Sequence, residues 1–117
     1  MKDTAMHVCL ADLDSPLHQQ AIINLLDMYC RDQFGAGKPL PQETKDSLIL
    51  GLKAARGLCF LAIDNTSTGA SEFIGLALCI PSLSSFKARP ILNIHDIAVA
   101  PDQRGKGVGQ ALLKAVE

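Results

Sequence analysis

Six consecutive residues, Arg104-Gly105-Lys106-Gly107-Val108-Gly109, carry the clearest chemistry in the chain, and His95 and Asp96 stand just upstream of them. Residues 91–117 read as a buried strand, a tight turn, this glycine-rich loop and the first turns of a helix. That layout builds an anion site. The N–H groups at a helix N-terminus lack intrahelical partners, and the helix dipole favours negative charge beside them. Glycine lets the backbone adopt positive φ and approach an anion closely. The ligand expected here is a phosphate or pyrophosphate.

Two phosphate loops are excluded by spacing. A Walker A loop needs Ser or Thr after its lysine and a glycine five positions before the next. Here Gly107 follows Lys106, and Ala100 stands where the first glycine belongs. A dinucleotide fingerprint, G-x-G-x-x-G, would start at Gly105 and Gly107 but meets Gln110 at its third place. The run Arg104-Gly105-Lys106-Gly107-Val108-Gly109 instead resembles the R/Q-x-x-G-x-G/A acetyl-CoA loop of the GNAT N-acetyltransferase superfamily. The preceding Ile97-Ala98-Val99 and Ala100-Pro101-Asp102 resemble its passage from the fourth strand into that loop.

The resemblance implies a function: acetyl-CoA-dependent transfer of an acetyl group to a primary amine, of a small molecule or a protein, by direct attack. It makes the chain an acyltransferase whose pyrophosphate site is the backbone of Gly105, Lys106, Gly107, Val108, Gly109 and Gln110, with Arg104 and Lys106 adding charge. The pantetheine arm is implied along Ile97, Ala98 and Val99, pairing with the backbone of Ile97 and Val99 like an added strand. Amine attack needs a base, and His95 and Asp96 are the candidates. Strand alternation puts Asn93, His95, Ile97 and Val99 on one face and Leu92, Ile94, Asp96 and Ala98 on the other, so only one of the pair faces the reaction unless a bulge intervenes. The alternative for each is a structural hydrogen bond at the sheet edge. The Val99 N–H is the candidate oxyanion donor. A late tyrosine often serves relatives as general acid; the one tyrosine here, Tyr29, lies on the first helix and reads as core or cleft lining.

These residues need elements to hold them. Residues 6–11 form a short strand, with Val8 and Leu10 on one face. Ser15 is an N-cap and Pro16 the first residue of a helix. Leu17, Ala21, Ile22, Leu25, Leu26 and Tyr29 repeat at helical spacing, and the helix fades near Phe34. A second helix runs from Pro41 or Gln42 to Arg56, closed by Gly57. Leu58–Asp64 and residues 73–80 are apolar strands joined as an antiparallel hairpin by the polar loop 65–71. Gly75 marks a bulge or a close approach. Residues 81–90, bounded by prolines, read as a loop before the last strand.

The order β-α-α-β-β-β-α matches the opening of a GNAT domain. The expected fold class is therefore α/β (α+β), one domain over residues 1–117 with a mixed, mainly antiparallel sheet and flanking helices. The resemblance implies further C-terminal strands and a helix, so the reading is a fold truncated after the cofactor helix. A sheet open along its fourth strand invites a homodimer that covers that edge. The alternative function is a non-catalytic CoA-binding or interaction module. In the GNAT fold, residues 34–40 and 82–89 set substrate choice.

A net charge of −1 gives no footprint for nucleic acid or an anionic membrane. No apolar run approaches the ~20 residues of a membrane span. The N-terminus has no signal-peptide core, and the four cysteines show no C-x-x-C spacing. Free buried thiols, a cytoplasmic location and no metal site are the expectation.

Overall fold

The computed structural model describes residues 6–32, 35–65 and 72–117. Four strands, β1 (Met6–Leu10), β2 (Leu58–Asp64), β3 (Glu72–Ser84) and β4 (Arg89–Val99), form one antiparallel sheet in the order β1-β2-β3-β4. Helices α1 (Pro16–Arg31) and α2 (Gln42–Ala54) cover one face, and α3 (Val108–Val116) covers the other. The expected element order stands, with a 3-10 turn at Pro101–Gln103 between β4 and the glycine loop.

The two faces carry two cores. Ala21, Ile22 and Leu25 of α1 and Leu52 of α2 pack on Cys59, Leu61, Leu76, Leu78 and Ala98. Val108 and Leu112 of α3 pack on Ala62, Ile74 and Ala77. The apolar stripe of α1 thus reaches its target, except that Leu17 stays 65% exposed. Ser15 caps α1 as expected, its Oγ accepting from the His18 N–H at 3.3 Å. The helix ends at Arg31 with Asp32 as C-cap; the fade expected at Phe34 lies outside the described residues.

α2 ends in a way the sequence did not disclose. Gly57 was expected to close it, yet the left-handed residue is Arg56, at φ 56°. The Arg56 N–H donates to Lys53 C=O and the Gly57 N–H to Leu52 C=O, a Schellman closure. Gly57 is needed for room: a Cβ there would stand 2.9 Å from Leu52 Cδ2 and 3.3 Å from Ile80 Cδ1.

The β2–β3 hairpin is antiparallel as read, and its loop lies beyond residue 65 outside the described residues. Both expectations for Gly75 hold. A register shift falls beside it at Ala62/Ile63, and a Cβ on Gly75 would meet Val108 Cγ1 at 3.0 Å and Ala98 O at 3.1 Å. The missing side chain lets the start of α3 sit on the sheet.

The loop expected over residues 81–90 is instead mostly strand. Ser82 pairs with Ile91, Leu83 with Pro90 and Ser84 with Arg89, leaving a four-residue turn, 85–88, in which Ala88 takes φ 52°. The prolines misled because they read as breakers. Beyond Cys79, however, β3 has no β2 neighbour, and a two-stranded ribbon tolerates proline because half its backbone groups need no partner.

Candidate functional site

β4 delivers the candidate residues, and a bulge decides how. Asp96 pairs with Leu78 and Ile94 with Cys79, so His95 is the extra residue between them. Directly paired residues share a face. Asp96 and Ala98 therefore lie on the α1/α2 side, and Ile97 and Val99 on the α3 side. Before the bulge the simple alternation is overturned: Ile94 falls on the α3 side with Cys79, and Asn93 on the α1/α2 side with Ile80.

The backbone of β4 follows from its ladder. The Ala100 N–H donates to Ile74 C=O at 2.9 Å, one pair beyond Gly75 and Val99. In an antiparallel pair, successive residues point their backbone groups alternately toward and away from the partner strand. Ala98 thus spends its groups on β3, while Ile97 and Val99 present theirs at the open edge. Accordingly, the Val99 carbonyl accepts from Arg104 Nε at 3.3 Å.

Beyond that edge, Val99, Gln103, Arg104, Gly105, Gly107, Val108, Gly109 and Gln110 surround a cleft of about 430 Å³. Gly105 and Gly107 take φ 80° and 85°, conformations that L side chains rarely adopt. Gly107 is the N-cap of α3 and offers no side chain to cap it. The first helical bond runs from the Ala111 N–H to Gly107 C=O, so the N–H groups of Val108, Gly109 and Gln110 face outward without intrahelical partners. Gly109 is the informative position. Its φ is ordinary, and nothing lies within 4 Å of a Cβ placed there. Neither backbone nor packing within the chain requires glycine, which fits a backbone that something else must approach. These features fit the diphosphate of a nucleotide-like cofactor.

Arg104 lines this cleft, but its charge is engaged elsewhere: its terminal nitrogen lies 2.6 Å from Asp32 Oδ2 at the end of α1. Lys106 is exposed on the loop and does not line the cleft.

A second cleft, of about 280 Å³, opens on the other side of β4. Asp96 faces it together with Leu26, Tyr29 and Cys30 of α1, Gly35, Ala36 and Leu40 of the connection, and Thr44 and Leu48 of α2. Tyr29 is thus cleft lining as well as core edge. The connection is pinned by Asp27, whose carboxylate accepts from the Leu40 N–H at 2.8 Å and from Arg31 Nε at 3.0 Å, with Lys45 Nζ 3.6 Å away. The Leu40 bond, then the two cations, hold the Asp27 carboxyl below its ordinary range against the opposing effect of burial. Of the two loops expected to set substrate choice, Gly35, Ala36 and Leu40 of the first reach this cleft; none of residues 82–89 does.

His95 is exposed and lines neither cleft. Leu26, read from the sequence only as part of the α1 stripe, and Cys30, Thr44 and Leu48 also line the second cleft, and Asp32 holds Arg104. Leu26 and Cys30, like Thr44 and Leu48, are spaced i, i+4 and so share helix faces with the cleft, a signal available in the sequence. Nothing local could have paired Asp32 with Arg104. Burial pushes the Cys59 thiol up to about 12, and Cys79 and Cys9 are also raised by burial. All four cysteines are free, and among the described residues no His, Cys, Asp or Glu cluster could hold a metal. No helix among them is long and apolar enough to cross a membrane.

The model of the acetyltransferase (GNAT) family matches residues 21–117. No curated protein matches the chain. Among solved structures, a possible acetyltransferase from Clostridium difficile 630 superimposes with a TM-score of 0.73 at 15% identity, over 95% of this chain and 68% of that one. A ribosomal-protein-alanine N-acetyltransferase from Brucella melitensis biovar Abortus 2308 gives 0.67 at 19% identity, over 95% and 68%. An aminoglycoside acetyltransferase from an uncultured soil metagenomic sample gives 0.70 at 15% identity, over 94% and 66%. At these identities the likeness is one of fold.

Proposed function

Because the chain belongs to the GNAT acetyltransferase family, we propose that it binds acetyl-CoA across the open edge of β4 and transfers the acetyl group to a primary amine by direct attack. The observation that carries this reading is the continuity of two features. The unpaired N–H groups at the start of α3 share a cleft with Val99, whose outward-facing backbone continues along the open edge to Ile97. Gly105, Gly107 and Gly109 let a diphosphate approach those N–H groups, while Ile97 and Val99 offer strand-like pairing to a pantetheine amide. Arg104 must leave the Val99 carbonyl when that pairing forms.

Acetyl-CoA, when bound, supplies a thioester carbon open to an amine. The chain's own groups do the rest. Asp96, facing the second cleft, receives the incoming ammonium and takes its proton, directly or through water. The Val99 N–H at the open edge is the donor for the carbonyl oxygen on which charge develops. His95, on the bulge, shapes the strand and does not act as base. Nothing in the second cleft needs residues 82–89, so acceptor choice falls to α1, α2 and their connection.

Steady-state acetylation of an amine panel tests the reading, with Asp96→Asn and His95→Ala alongside. Asp96→Asn should lower kcat/KM by about 100-fold or more, in the range of a lost general base. His95→Ala should leave it within about threefold, under 1 kcal/mol of barrier. Binding of acetyl-CoA without acetylation of any amine would replace the reading with a non-catalytic CoA-binding module.

The remaining β4 edge fits a second copy of the chain. Ile91 and Ile94 are 43% and 40% exposed on it, away from the Ile97 and Val99 groups the cofactor would use. Sedimentation equilibrium should show a dimer that acetyl-CoA does not dissociate; a monomer at high concentration excludes it.

A further inference from the structure

The second cleft holds one charge and no counter-charge, and that asymmetry specifies its ligand. Asp96 has no hydrogen-bond or ion-pair partner among the described residues. Around it stand Leu26, Tyr29, Leu40 and Leu48, with Thr44 at the rim. A half-buried carboxylate among apolar walls is stabilised by a cation brought to it. No basic residue lines the cleft; Arg31 and Lys45 pair with Asp27, Arg104 pairs with Asp32, and Lys38 of the connection is exposed and outside the lining. A ligand carboxylate would therefore sit beside Asp96 with nothing to neutralise either charge. A second ligand ammonium would find no other acid in the walls of this cleft; the next one, Glu43, lies in the adjoining hollow.

The space is bounded by its neighbour. Thr44 and Leu48 also border a hollow of about 450 Å³ lined by Glu43, Ser47, Gly51, Leu52, Ala55 and Ile80. Glu43 and Ser47 make that hollow partly polar, so the apolar walls beside Asp96 are those of Leu26, Tyr29, Leu40 and Leu48.

We propose, resting on the acetyl-transfer reading, that the acceptor is a monoamine carried on an uncharged apolar body, an alkylamine or arylalkylamine. Its ammonium sits on Asp96 and its body lies against Leu26, Tyr29, Leu40 and Leu48. Within this cleft a free amino acid meets like charge at Asp96, and the second ammonium of a polyamine is left without an acid. Transfer forms the amide C–N bond and breaks the thioester C–S bond; the first ammonium proton passes to Asp96, and the second N–H proton, lost as the tetrahedral adduct collapses, goes directly or through water to the departing thiolate.

Calorimetric titration of the 117-residue chain with four matched probes tests this class. 2-Phenylethylamine carries ammonium and apolar body; phenylalanine adds a carboxylate; 2-phenylethanol lacks the charge; spermidine adds charges. The amine should bind at least about tenfold more tightly than the other three, the scale set by one mismatched polar group. Asp96→Asn should erase its advantage over the alcohol. Thr44→Glu adds an acid in the first turn of α2, where the helix dipole favours it, and so preserves folding. It should improve spermidine about tenfold. Phenylalanine or spermidine binding as tightly as the amine, or no amine binding at all, overturns the proposal. Acetyl-CoA titrated into the same preparation separates the two claims. Its failure to bind, with the amine preference intact, removes the transfer reading alone; its binding, with the amine preference absent, removes the acceptor class alone.

Discussion

Arg104 and Asp32, 72 residues apart in sequence, meet at 2.6 Å and tie the glycine loop to the end of α1. Asp32 follows directly on the stretch of α1 that supplies Tyr29 and Cys30 to the cleft facing Asp96, and Arg104 also holds the Val99 carbonyl. One guanidinium therefore links the glycine loop and the edge of β4 to the end of α1.

That pair should show as coupling. Arg104 is 43% exposed and Asp32 12%, so the pair lies at the surface side of the scale. Arg104→Ala and Asp32→Ala should each cost about 1 kcal/mol or less of unfolding free energy. The double variant should cost less than their sum by about 0.5 kcal/mol. Urea denaturation of the four proteins measures this, and strict additivity would show the contact to be incidental.

Gly107 and Gly109 should separate folding from ligand approach. Gly107→Ala forces a Cβ onto φ 85° and should destabilise by about 1–2 kcal/mol. Gly109→Ala meets open space at an ordinary φ and should leave the unliganded melting temperature unchanged or raise it. It should nonetheless weaken acetyl-CoA about tenfold or more, through an obstructed approach to the helix N-terminus, as read by titration.

The α1–α2 connection carries an acid-sensitive anchor. The Leu40 N–H, Arg31 and Lys45 lower the folded-state pKa of Asp27 below its unfolded value. Its contribution is thus fully present above the ordinary carboxylate range, near pH 4, and is lost as pH falls through the depressed folded value. Asp27→Asn should be less stable than the parent at pH 7, and the gap should narrow as pH falls below about 4. A gap constant across that window would show that the charge is not involved.

Arg56 is a strained cap. At φ 56° a side chain costs about 1 kcal/mol that glycine avoids. Arg56→Gly should raise stability by about that amount, whereas Gly57→Ala, with only 2.9 Å to Leu52 Cδ2, should lower it. Thermal denaturation of both variants distinguishes the closure seen here from one made at Gly57.

Much of this was legible because it is local. Positive φ at Gly105 and Gly107, the Ser15 cap and the stripe of α1 all follow from rules acting within a few residues. What escaped is set by neighbours far along the chain. The bulge at His95 depends on how β4 meets Leu78 and Cys79, and it reverses the faces that alternation gives Asn93 and Ile94. The ribbon over residues 81–90 forms because β2 ends its pairing at Cys79, which no period in the β3 sequence announces. Gly57 serves for room and not for positive φ because Leu52 and Ile80, brought together by folding, leave no space for a Cβ there.

The most direct test of the central claim is the melting temperature of the chain with and without acetyl-CoA, beside ATP and NADH. A ligand that binds only the folded state raises it with ln(1 + [L]/Kd). A rise given by acetyl-CoA, not matched by ATP or NADH and lost in Gly109→Ala, is the result this account requires. No rise, or an equal rise with all three ligands, would contradict it.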